Sequence, residues 1–324
     1  MENMMDVGRA GPIACVGDII LDRTIRVTAP RAAGGSRTII AEDTYVGGGA
    51  TNMAVILAQI GVPVRLYGFV GTDFGDSRLA WLRDNGVDVT GVRELKGPTL
   101  RAYVFYSAGE ASAYMDTRLA SAIRKQSLEH VPTHCGCLAL VGGGDTGLQK
   151  HFVSLLGRRG RHSRIVYFDP GPTIACFRKN MLIALLQGAD YVKLNESEWD
   201  YIRLQQQTGR LKAVKNLLQT LVVTRGAAGA DIISAVSSFS VPALPGVRQA
   251  SPVGAGDAFN AGFVTGILLG GTSGQAAEIG CLIASRVVRR RAPNTALDRR
   301  ALFRKMRAIL GSNRVAPDTN TESE

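Results

Sequence analysis

The clearest candidate for chemistry is the run Gly254-Ala255-Gly256-Asp257, which stands directly before an apolar helical pattern. Small residues let the backbone turn tightly, so that successive N–H groups can point the same way. The dipole of the following helix adds partial positive charge, and the turn therefore favours an anion such as a phosphoryl group. Asp257 could accept the proton of an attacking hydroxyl while the amides stabilise the transferred group. The same residues would also serve as an ordinary helix N-cap, and that alternative stays open.

A second glycine-rich turn, Gly47-Gly48-Gly49, leads into another helical pattern that carries Asn52. Three glycines permit a close approach of the backbone to a ligand, and the Asn52 amide can both donate to and accept from hydroxyl groups. A substrate-binding loop is therefore one interpretation of this stretch. A tight turn followed by a helix cap is the other.

Two further stretches follow apolar runs in the second half of the chain. Asn195 and Glu198 are three residues apart, which puts them on one face of a helical turn. Thr224 and Gly226 stand where a strand pattern gives way to a Gly-rich turn. The Walker A pattern G-x-x-x-x-G-K-[ST] does not occur, so a P-loop nucleotide site is excluded.

In this order, the four stretches resemble the ribokinase or PfkB family of sugar kinases, over residues 13–292. The two glycine-rich turns correspond to the two signatures of that family. The resemblance implies an ATP-dependent phosphotransferase that acts on a hydroxyl of a sugar or sugar derivative, with ATP and Mg²⁺ as cofactors. An intact Gly254–Asp257 core favours an active enzyme over a degenerate relative.

The resemblance also implies roles for particular residues. Gly254, Ala255 and Gly256 would form the anion hole beside Asp257 as the catalytic base. Asp22, Gly48, Gly49 and Asn52 would bind the substrate. Asn195, Thr224 and Gly226 would lie on the nucleotide side, and Glu198 would hold the metal through water. Ser251 stands where many members have an aspartate that helps to bind an activating cation, which makes K⁺ dependence doubtful.

Short apolar runs alternate with helical patterns, which predicts a parallel sheet covered on both faces. The expected fold is a ribokinase-like three-layer α/β/α sandwich with a mostly parallel central sheet and a small inserted β lid. Predicted strands are 13–16, 64–70, 138–141, 165–169, 191–194, 221–224 and 230–234. Predicted helices are 50–60, 76–85, 148–156, 178–187, 210–218, 256–269, 273–291 and 298–310.

Two segments show β-type alternation instead and are assigned to the lid. The predicted lid comprises 23–43 and 98–116, the main nucleotide- and substrate-binding domain 11–22, 44–97 and 117–310, and the flexible tails 1–10 and 311–324. Because exposed strand edges invite partners, a homodimer formed through the lid is expected.

The acceptor is less defined by the sequence. The string from Gly17 to Arg23 resembles the start of the heptose-phosphate kinases, which would make the acceptor a sugar phosphate. Basic lid residues could then contact that phosphate, or could equally be solvated: Arg23, Arg26, Arg37 and Arg101. A nucleoside would instead need aromatic stacking, which could come from Tyr45, Tyr103, Phe105 and Tyr114 unless these pack in a core.

The charge of the chain bears on whether the protein is an enzyme or a nucleic-acid-binding regulator. The 324 residues include 38 Lys and Arg against 27 Asp and Glu, a formal net charge of +11. The segment from Arg286 to Arg307 carries +8 of this charge. A non-catalytic nucleic-acid-binding regulator is therefore the rival interpretation. Because part of this segment should approach the nucleotide, a phosphate-handling enzyme is preferred, and nucleic acid is not expected as a partner.

The expected location in the cell depends on two patterns that the sequence lacks. No apolar run reaches the roughly 18 residues of a membrane span, and the five cysteines show no metal-ligand spacing. We therefore expect a cytoplasmic enzyme with no membrane partner and with buried free thiols. The four histidines lie in mostly polar stretches and are expected at the surface.

Overall fold

The structure is a computed structural model that describes residues 11–28, 36–107, 110–132, 134–158, 165–209, 211, 219–247, 253–289 and 297–312. Its strands are β1 (Ile13–Gly17), β2 (Ile20–Val27), β3 (Ile39–Gly47), β4 (Val64–Gly71), β5 (Asp88–Leu95), β6 (Arg101–Ser107), β7 (Glu110–Asp116), β8 (Cys137–Val141), β9 (Val166–Asp169), β10 (Tyr191–Asn195), β11 (Thr220–Thr224), β12 (Ala230–Ser234) and β13 (Ser238–Val241). Its helices are α1 (Gly49–Gln59), α2 (Asp76–Asp84), α3 (Ala120–Ile123), α4 (Gln149–Gly157), α5 (Lys179–Gly188), α6 (Glu196–Gln207), α7 (Ala255–Leu268), α8 (Ser273–Val287) and α9 (Arg299–Leu310).

Nine strands form the large sheet, in the order β13-β12-β11-β10-β9-β8-β1-β4-β5. The strands from β11 to β5 pair in parallel, whereas β12 and β13 extend one edge in antiparallel orientation. Parallel strands end at a common edge. The segments that follow β1, β8, β9, β10 and β11 therefore meet at the carboxyl edge of the sheet, where α/β folds bind their ligands.

Successive residues of the central strands face two separate hydrophobic cores. Ile13 and Cys15 of β1 belong to the core that includes α1, α7 and α8, whereas Ala14 and Val16 belong to the core that includes α4, α5 and α6. The sheet thus lies between two helical layers, each burying one face. This confirms the predicted three-layer α/β/α sandwich with a mostly parallel central sheet.

Four strands form a second, smaller sheet in the order β3-β2-β6-β7. β2 pairs with β3 in antiparallel and with β6 in parallel orientation, and β6 and β7 form a hairpin. The two β-type segments, distant in sequence, therefore pair with each other as predicted. The function of this sheet as a lid, and the division of the chain into a main domain and a lid, stay predictions.

Glycines allow α7 and α8 to pack with their backbones almost in contact. A Cβ on Gly262 would lie 2.7 Å from the carbonyl oxygen of Ile279, and a Cβ on Gly266 would lie 2.7 Å from Cα of Ala276. Either side chain would force the helices apart. This contact fixes α7 against α8, and with it the Gly254–Asp257 turn at the start of α7.

Some elements differ from the sequence-based expectation. The edge strands β5 and β13 were not predicted. His151 of α4 is buried, not at the surface, and its ring bonds to the backbone carbonyl of Ile123 at 2.8 Å. The predicted helix 210–218 and the tails 1–10 and 311–324 lie almost wholly outside the described residues.

All five cysteines are free, and four are buried. No helix within the described ranges is long and apolar enough to cross a membrane.

Candidate active site

The start of α7 forms the turn that the sequence singled out. Gly254 caps the helix with a φ of 78°, a left-handed conformation that glycine adopts without strain. Ala255 and Gly256 follow as its first residues and line a cavity. N–H groups in a first helical turn have no acceptor within the helix, so this turn can bind an anion.

Asp257, also in the first turn of α7, is half-buried and contacts α1. Asn52 Nδ2 donates a 2.8 Å hydrogen bond to Asp257 Oδ2. Burial raises the pKa of Asp257 to about 6; the Asn52 hydrogen bond and the charge of Lys193 work against this rise, while the charges of Asp169 and Asp22 add to it. A carboxylate with such a pKa is ionised at neutral pH and is a stronger base than an ordinary aspartate.

The glycine-rich turn between β3 and α1 lies against two carboxylates. A side chain at Gly47 would collide with the carboxylate of Asp22, and a Cβ on Gly49 would lie 3.4 Å from Asp257 Oδ1. Gly48 caps α1 with a φ of 96°. Burial raises the pKa of Asp22 to about 6. The structure therefore brings the predicted substrate-side residues together around Asp257, although their contacts with a substrate stay predictions.

Asn195 and Glu198 form a reciprocal cap at the start of α6. Asn195 Oδ1 accepts a 2.9 Å hydrogen bond from the Glu198 N–H, and Glu198 Oε2 accepts a 2.8 Å bond from the Asn195 N–H. Asn195 Nδ2 also donates to Glu198 Oε1 at 2.6 Å. Both side chains thus stabilise the helix, as in other capping boxes. Burial, followed by the charge of Asp169, raises the pKa of Glu198 to about 7 against the opposing charge of Lys193.

The oxygen atoms of Glu198 suit a metal ion that is held through a bound water and not by direct coordination. Within the described ranges, no group of three or more His, Cys, Asp or Glu side chains could hold an ion. Both Glu198 oxygens bond to Asn195, but a carboxylate oxygen has a second lone pair for a metal-bound water. Because Mg²⁺ usually keeps several waters, the site suits the predicted water-mediated contact.

A cavity of about 750 Å³ opens beside the α7 turn. It is polar where β10 and β11 end and apolar toward α8. Among its lining residues are Lys193, Asn195, Thr224, Gly226, Ala255, Gly256, Leu244, Val247, Ala284 and Val288. A polar end at a helix N-terminus and an apolar end suit a phosphate chain and a base, respectively. Ser251 lies outside the described part of the chain, so the doubt over K⁺ dependence stays a prediction.

A buried polar cluster beside the cavity was missed by sequence reasoning. Lys193 Nζ of β10 donates to Asp169 Oδ2 of β9 at 3.1 Å, and Asn260 Nδ2 of α7 donates to the same oxygen at 2.6 Å. Tyr167 donates to Asn260 Oδ1 at 2.8 Å. No spacing in the sequence joins these residues, because they come from three elements that meet only in the folded sheet.

Asp18, four residues before the predicted Asp22, is the more deeply buried of the two carboxylates. It accepts hydrogen bonds from the Gly143 N–H at 2.8 Å and from Thr146 Oγ1 at 2.5 Å. Burial raises its pKa to about 6. These bonds tie the end of β1 to the loop after β8, which supports a structural function for Asp18.

Strand register assigns the side chains of the small sheet to its two faces. Asp22 of β2 lies opposite Tyr45 of β3 and Ala102 of β6, and Ala102 lies opposite Met115 of β7. Residues opposite one another point to the same side of a sheet, so these four side chains share one face. Tyr106, four residues along β6 from Ala102, lies on that face too. The face that carries Asp22 toward Asp257 therefore also presents three large exposed side chains, Tyr45, Tyr106 and Met115.

The other aromatic candidates lie on the opposite face. Arg23 lies over the ring of Tyr103 at 5.6 Å, and Phe105 meets Tyr114 edge to face at 6.0 Å. Of the four aromatic residues considered for stacking, Tyr45 alone shares the Asp22 face; Tyr106 and Met115 were not considered from the sequence.

Two of the four arginines considered as ligands of an acceptor phosphate already have carboxylate partners. Arg23 pairs with Glu42, and Arg101 pairs with Asp73. The other two, Arg26 and Arg37, are exposed. Because two of these arginines are paired and two are exposed, the structure favours solvated arginines over a binding site for an acceptor phosphate.

A glycine-rich helix start next to a half-buried carboxylate, at the mouth of a cavity of this size, is typical of a phosphotransferase that acts on small molecules. Comparison with known proteins then gives the family. Residues 11–300 match the pfkB family of carbohydrate kinases, and the chain belongs to that family. The resemblance stated from the sequence is thereby confirmed.

Individual relatives include kinases of two acceptor types. A nucleoside kinase of Methanocaldococcus jannaschii is 24% identical over 283 residues, which cover 87% of this chain and 91% of the relative. An ATP-dependent ribose-1-phosphate kinase of Halopiger xanaduensis is 27% identical over 306 residues, with 87% and 94% covered. The crystal structure of the M. jannaschii nucleoside kinase, an archaeal member of the ribokinase family, matches with a TM-score of 0.78 at 21% identity and covers 92% of this chain and 98% of that one. The ribokinase-like fold is confirmed, and the family to which the protein belongs is one of kinases.

Proposed function

We propose that the protein transfers the γ-phosphate of ATP to a hydroxyl of a neutral acceptor, with Asp257 as the base. The observation that carries this proposal is the position of the Asp257 carboxylate. It stands in the first turn of α7, next to the amides of the anion-binding turn, and bonds to Asn52 across the site. A hydroxyl that reaches both Asp257 and a phosphoryl group on the turn would be aligned for transfer.

In the proposed reaction the acceptor oxygen attacks the γ-phosphorus while its proton passes to Asp257. A bond forms between this oxygen and phosphorus, the bond from phosphorus to the bridging oxygen breaks, and ADP leaves with the electron pair. The amides of the turn at Gly254, Ala255 and Gly256 stabilise charge on the transferred group. Asn52 orients the Asp257 carboxylate. Glu198 would orient Mg²⁺ on the phosphates through water, and the metal would neutralise part of their charge.

Asp22 and the glycine-rich turn at Gly47, Gly48 and Gly49 would bind the acceptor from the other side. A buried carboxylate with a pKa near 6 gains most from ligand groups that donate hydrogen bonds. Acceptor hydroxyls do so, whereas a phosphate on the acceptor would repel it. The small sheet would cover this region and exclude water, which limits hydrolysis of ATP.

A nucleoside is the acceptor that the exposed face of the small sheet favours. Tyr45, Tyr106 and Met115 are 49%, 42% and 39% exposed on the face of the small sheet that carries Asp22, although residues of their size are usually buried. Aromatic and thioether side chains form a good platform for a flat base. The pairing of Arg23 and Arg101 with Glu42 and Asp73 argues against an acceptor phosphate.

A panel of acceptors with ATP and Mg²⁺, followed as ADP release, tests this proposal. It should contain purine and pyrimidine nucleosides, ribose, fructose, ribose 1-phosphate and a heptose phosphate. We expect the highest kcat/KM with a nucleoside. Higher values with a free sugar or a sugar phosphate would contradict the nucleoside assignment, and ADP release with no acceptor would contradict phosphoryl transfer altogether.

A pair of tyrosine variants isolates the stacking platform. Tyr45→Ala should raise KM for the nucleoside by at least about tenfold, since stacking on a base contributes roughly 1–3 kcal/mol. Tyr114→Ala is the matched control, because Tyr114 is 62% exposed on the opposite face of the same sheet. Equal effects of the two substitutions would contradict the proposed platform.

A further inference from the structure

Lys193 lies between the buried polar cluster and the anion-binding turn. The residue is only 5% exposed, yet it lines the cavity. A Cβ on Gly256 would lie 3.3 Å from Lys193 Nζ, so the ammonium stands directly behind the turn. Any larger residue at 256 would compete with the ammonium for that space.

The ammonium is held by a chain of hydrogen bonds. Asp169 Oδ2 accepts from Lys193 and from Asn260, and Asp169 Oδ1 accepts from the Gly171 N–H at 2.9 Å. Tyr167 in turn donates to Asn260. Asp169 thus has its two oxygens in fixed directions. A lysine ammonium carries three donors, of which Asp169 takes one, and the others can serve a ligand in the cavity.

The charge balance keeps Lys193 protonated. Burial disfavours the ammonium, but the charges of Asp169, Glu198 and Asp257 outweigh burial and raise the pKa of Lys193 above its usual value. A permanent positive charge therefore faces the same space as the helix N-terminus. Asp169 pairs with it on the protein side, and a polyphosphate would be an acidic partner on the cavity side.

We propose that the Lys193 ammonium contacts the terminal phosphate of the bound nucleoside triphosphate, with Asp169, Asn260 and Tyr167 as its positioning residues. The inference rests on the proposed function in taking the ligand to be ATP. During transfer, the bond between the γ-phosphorus and the bridging oxygen breaks, and negative charge grows on that bridging oxygen, which leaves with ADP and adjoins the phosphate that Lys193 contacts. The ammonium stabilises this charge and is not consumed.

Nucleotide binding to Lys193→Met measures this contact without an acceptor. Methionine keeps the length of the stem and removes the charge. Calorimetric titration with AMP and with the non-hydrolysable β,γ-imido analogue of ATP should separate the base from the phosphate chain. We expect AMP to bind within about twofold of the wild type and the triphosphate analogue to bind at least about tenfold more weakly, the usual loss with one charged hydrogen bond. Lys150→Met, an exposed lysine on α4, is the matched control.

A second variant separates the contact from folding. Lys193→Met alone leaves Asp169 buried without its partner, whereas Asp169→Asn with Lys193→Met removes both charges. The double variant should recover thermal stability and keep the selective loss of triphosphate binding. Full recovery of triphosphate binding, an equal loss for AMP, or failure of both variants to fold would each overturn the inference.

The positioning residues have their own readout. Tyr167→Phe removes one hydroxyl from the chain and should lower kcat several-fold while KM for the acceptor stays unchanged. A change in acceptor KM with constant kcat would contradict positioning through Lys193. Wild-type protein that binds the triphosphate through Lys193 but phosphorylates no acceptor would overturn the proposed function and leave this inference supported.

Discussion

Asp257→Asn should abolish most turnover and at the same time make the folded protein more stable. The amide oxygen of the substitute can still accept the Asn52 hydrogen bond, but it cannot take a proton from the acceptor. We expect kcat to fall by at least ~10²-fold, as for the loss of a general base. Stability should rise because the native carboxylate is ionised in a site where burial disfavours its charge.

The size of the gain in stability follows from the pKa of Asp257, which burial raises from 3.8 to about 6. An acid with a raised pKa stabilises the folded state while it is protonated, and this contribution disappears as pH rises from roughly 4 to 6. Two units correspond to about 3 kcal/mol, which is the cost of the ionised group at pH 7.5. Allowing for partial exposure, Asp257→Asn should add roughly 1–3 kcal/mol to the unfolding free energy, or roughly 2–6 °C in Tm.

Differential scanning calorimetry at two pH values tests the predicted gain in stability, and ADP release tests the predicted loss of turnover. The gain in Tm should be largest at pH 7.5 and about half as large at pH 5, where the native carboxylate is already protonated. Asp84→Asn, at an exposed position of α2, should change the unfolding free energy by no more than about 0.5 kcal/mol. A variant that is both less active and less stable at pH 7.5 would refute the reasoning, because the loss of turnover would then reflect damage to the fold.

Two further substitutions probe the acceptor side and the metal side. Gly49→Ala would place a Cβ 2.8 Å from Val141 Cγ1 and 3.4 Å from Asp257 Oδ1. Because this crowds the acceptor side of the site, KM for the acceptor should rise about tenfold while the calorimetric affinity for AMP stays unchanged. An altered AMP affinity would contradict this prediction. Because the pKa of Glu198 is about 7, its ionised fraction should rise roughly tenfold from pH 6 to pH 8. The Mg²⁺ concentration that gives half-maximal rate should fall in proportion, and Glu198→Gln should remove this pH dependence; a persistent dependence in the variant would exclude Glu198 as its source.

Most of the fold was predictable because the central strands are buried on both faces. The run 138–141 is wholly apolar, and the observed strand is Cys137–Val141. The strands that were missed, Asp88–Leu95 and Ser238–Val241, lie at the two edges of the sheet and carry polar side chains toward solvent. An edge strand lacks a neighbour on one side, and its sequence therefore need not be continuously apolar.

The geometry of the candidate site was predictable where it depends on local backbone. Gly254 and Gly48 both take positive φ at helix starts, and glycine before a helical pattern is visible in any sequence. The Lys193–Asp169 pair was not predictable, because each residue reads as the polar end of a buried strand. Their contact depends on the β9–β10 register and on α7 above them. Likewise, only the register shows that Tyr45, and not Tyr103, shares the face of Asp22.

The charges of the site also support the proposal of a neutral acceptor. Asp22 and Asp257 both have pKa values raised to about 6, so each is ionised at neutral pH in surroundings that favour the neutral acid. Acceptor hydroxyls would donate hydrogen bonds to these carboxylates and reduce that penalty. A phosphate on the acceptor would add charge of the same sign. The positive groups lie on the other side, at Lys193 and the start of α7, which suits a donor rich in phosphate and an acceptor rich in hydroxyl groups.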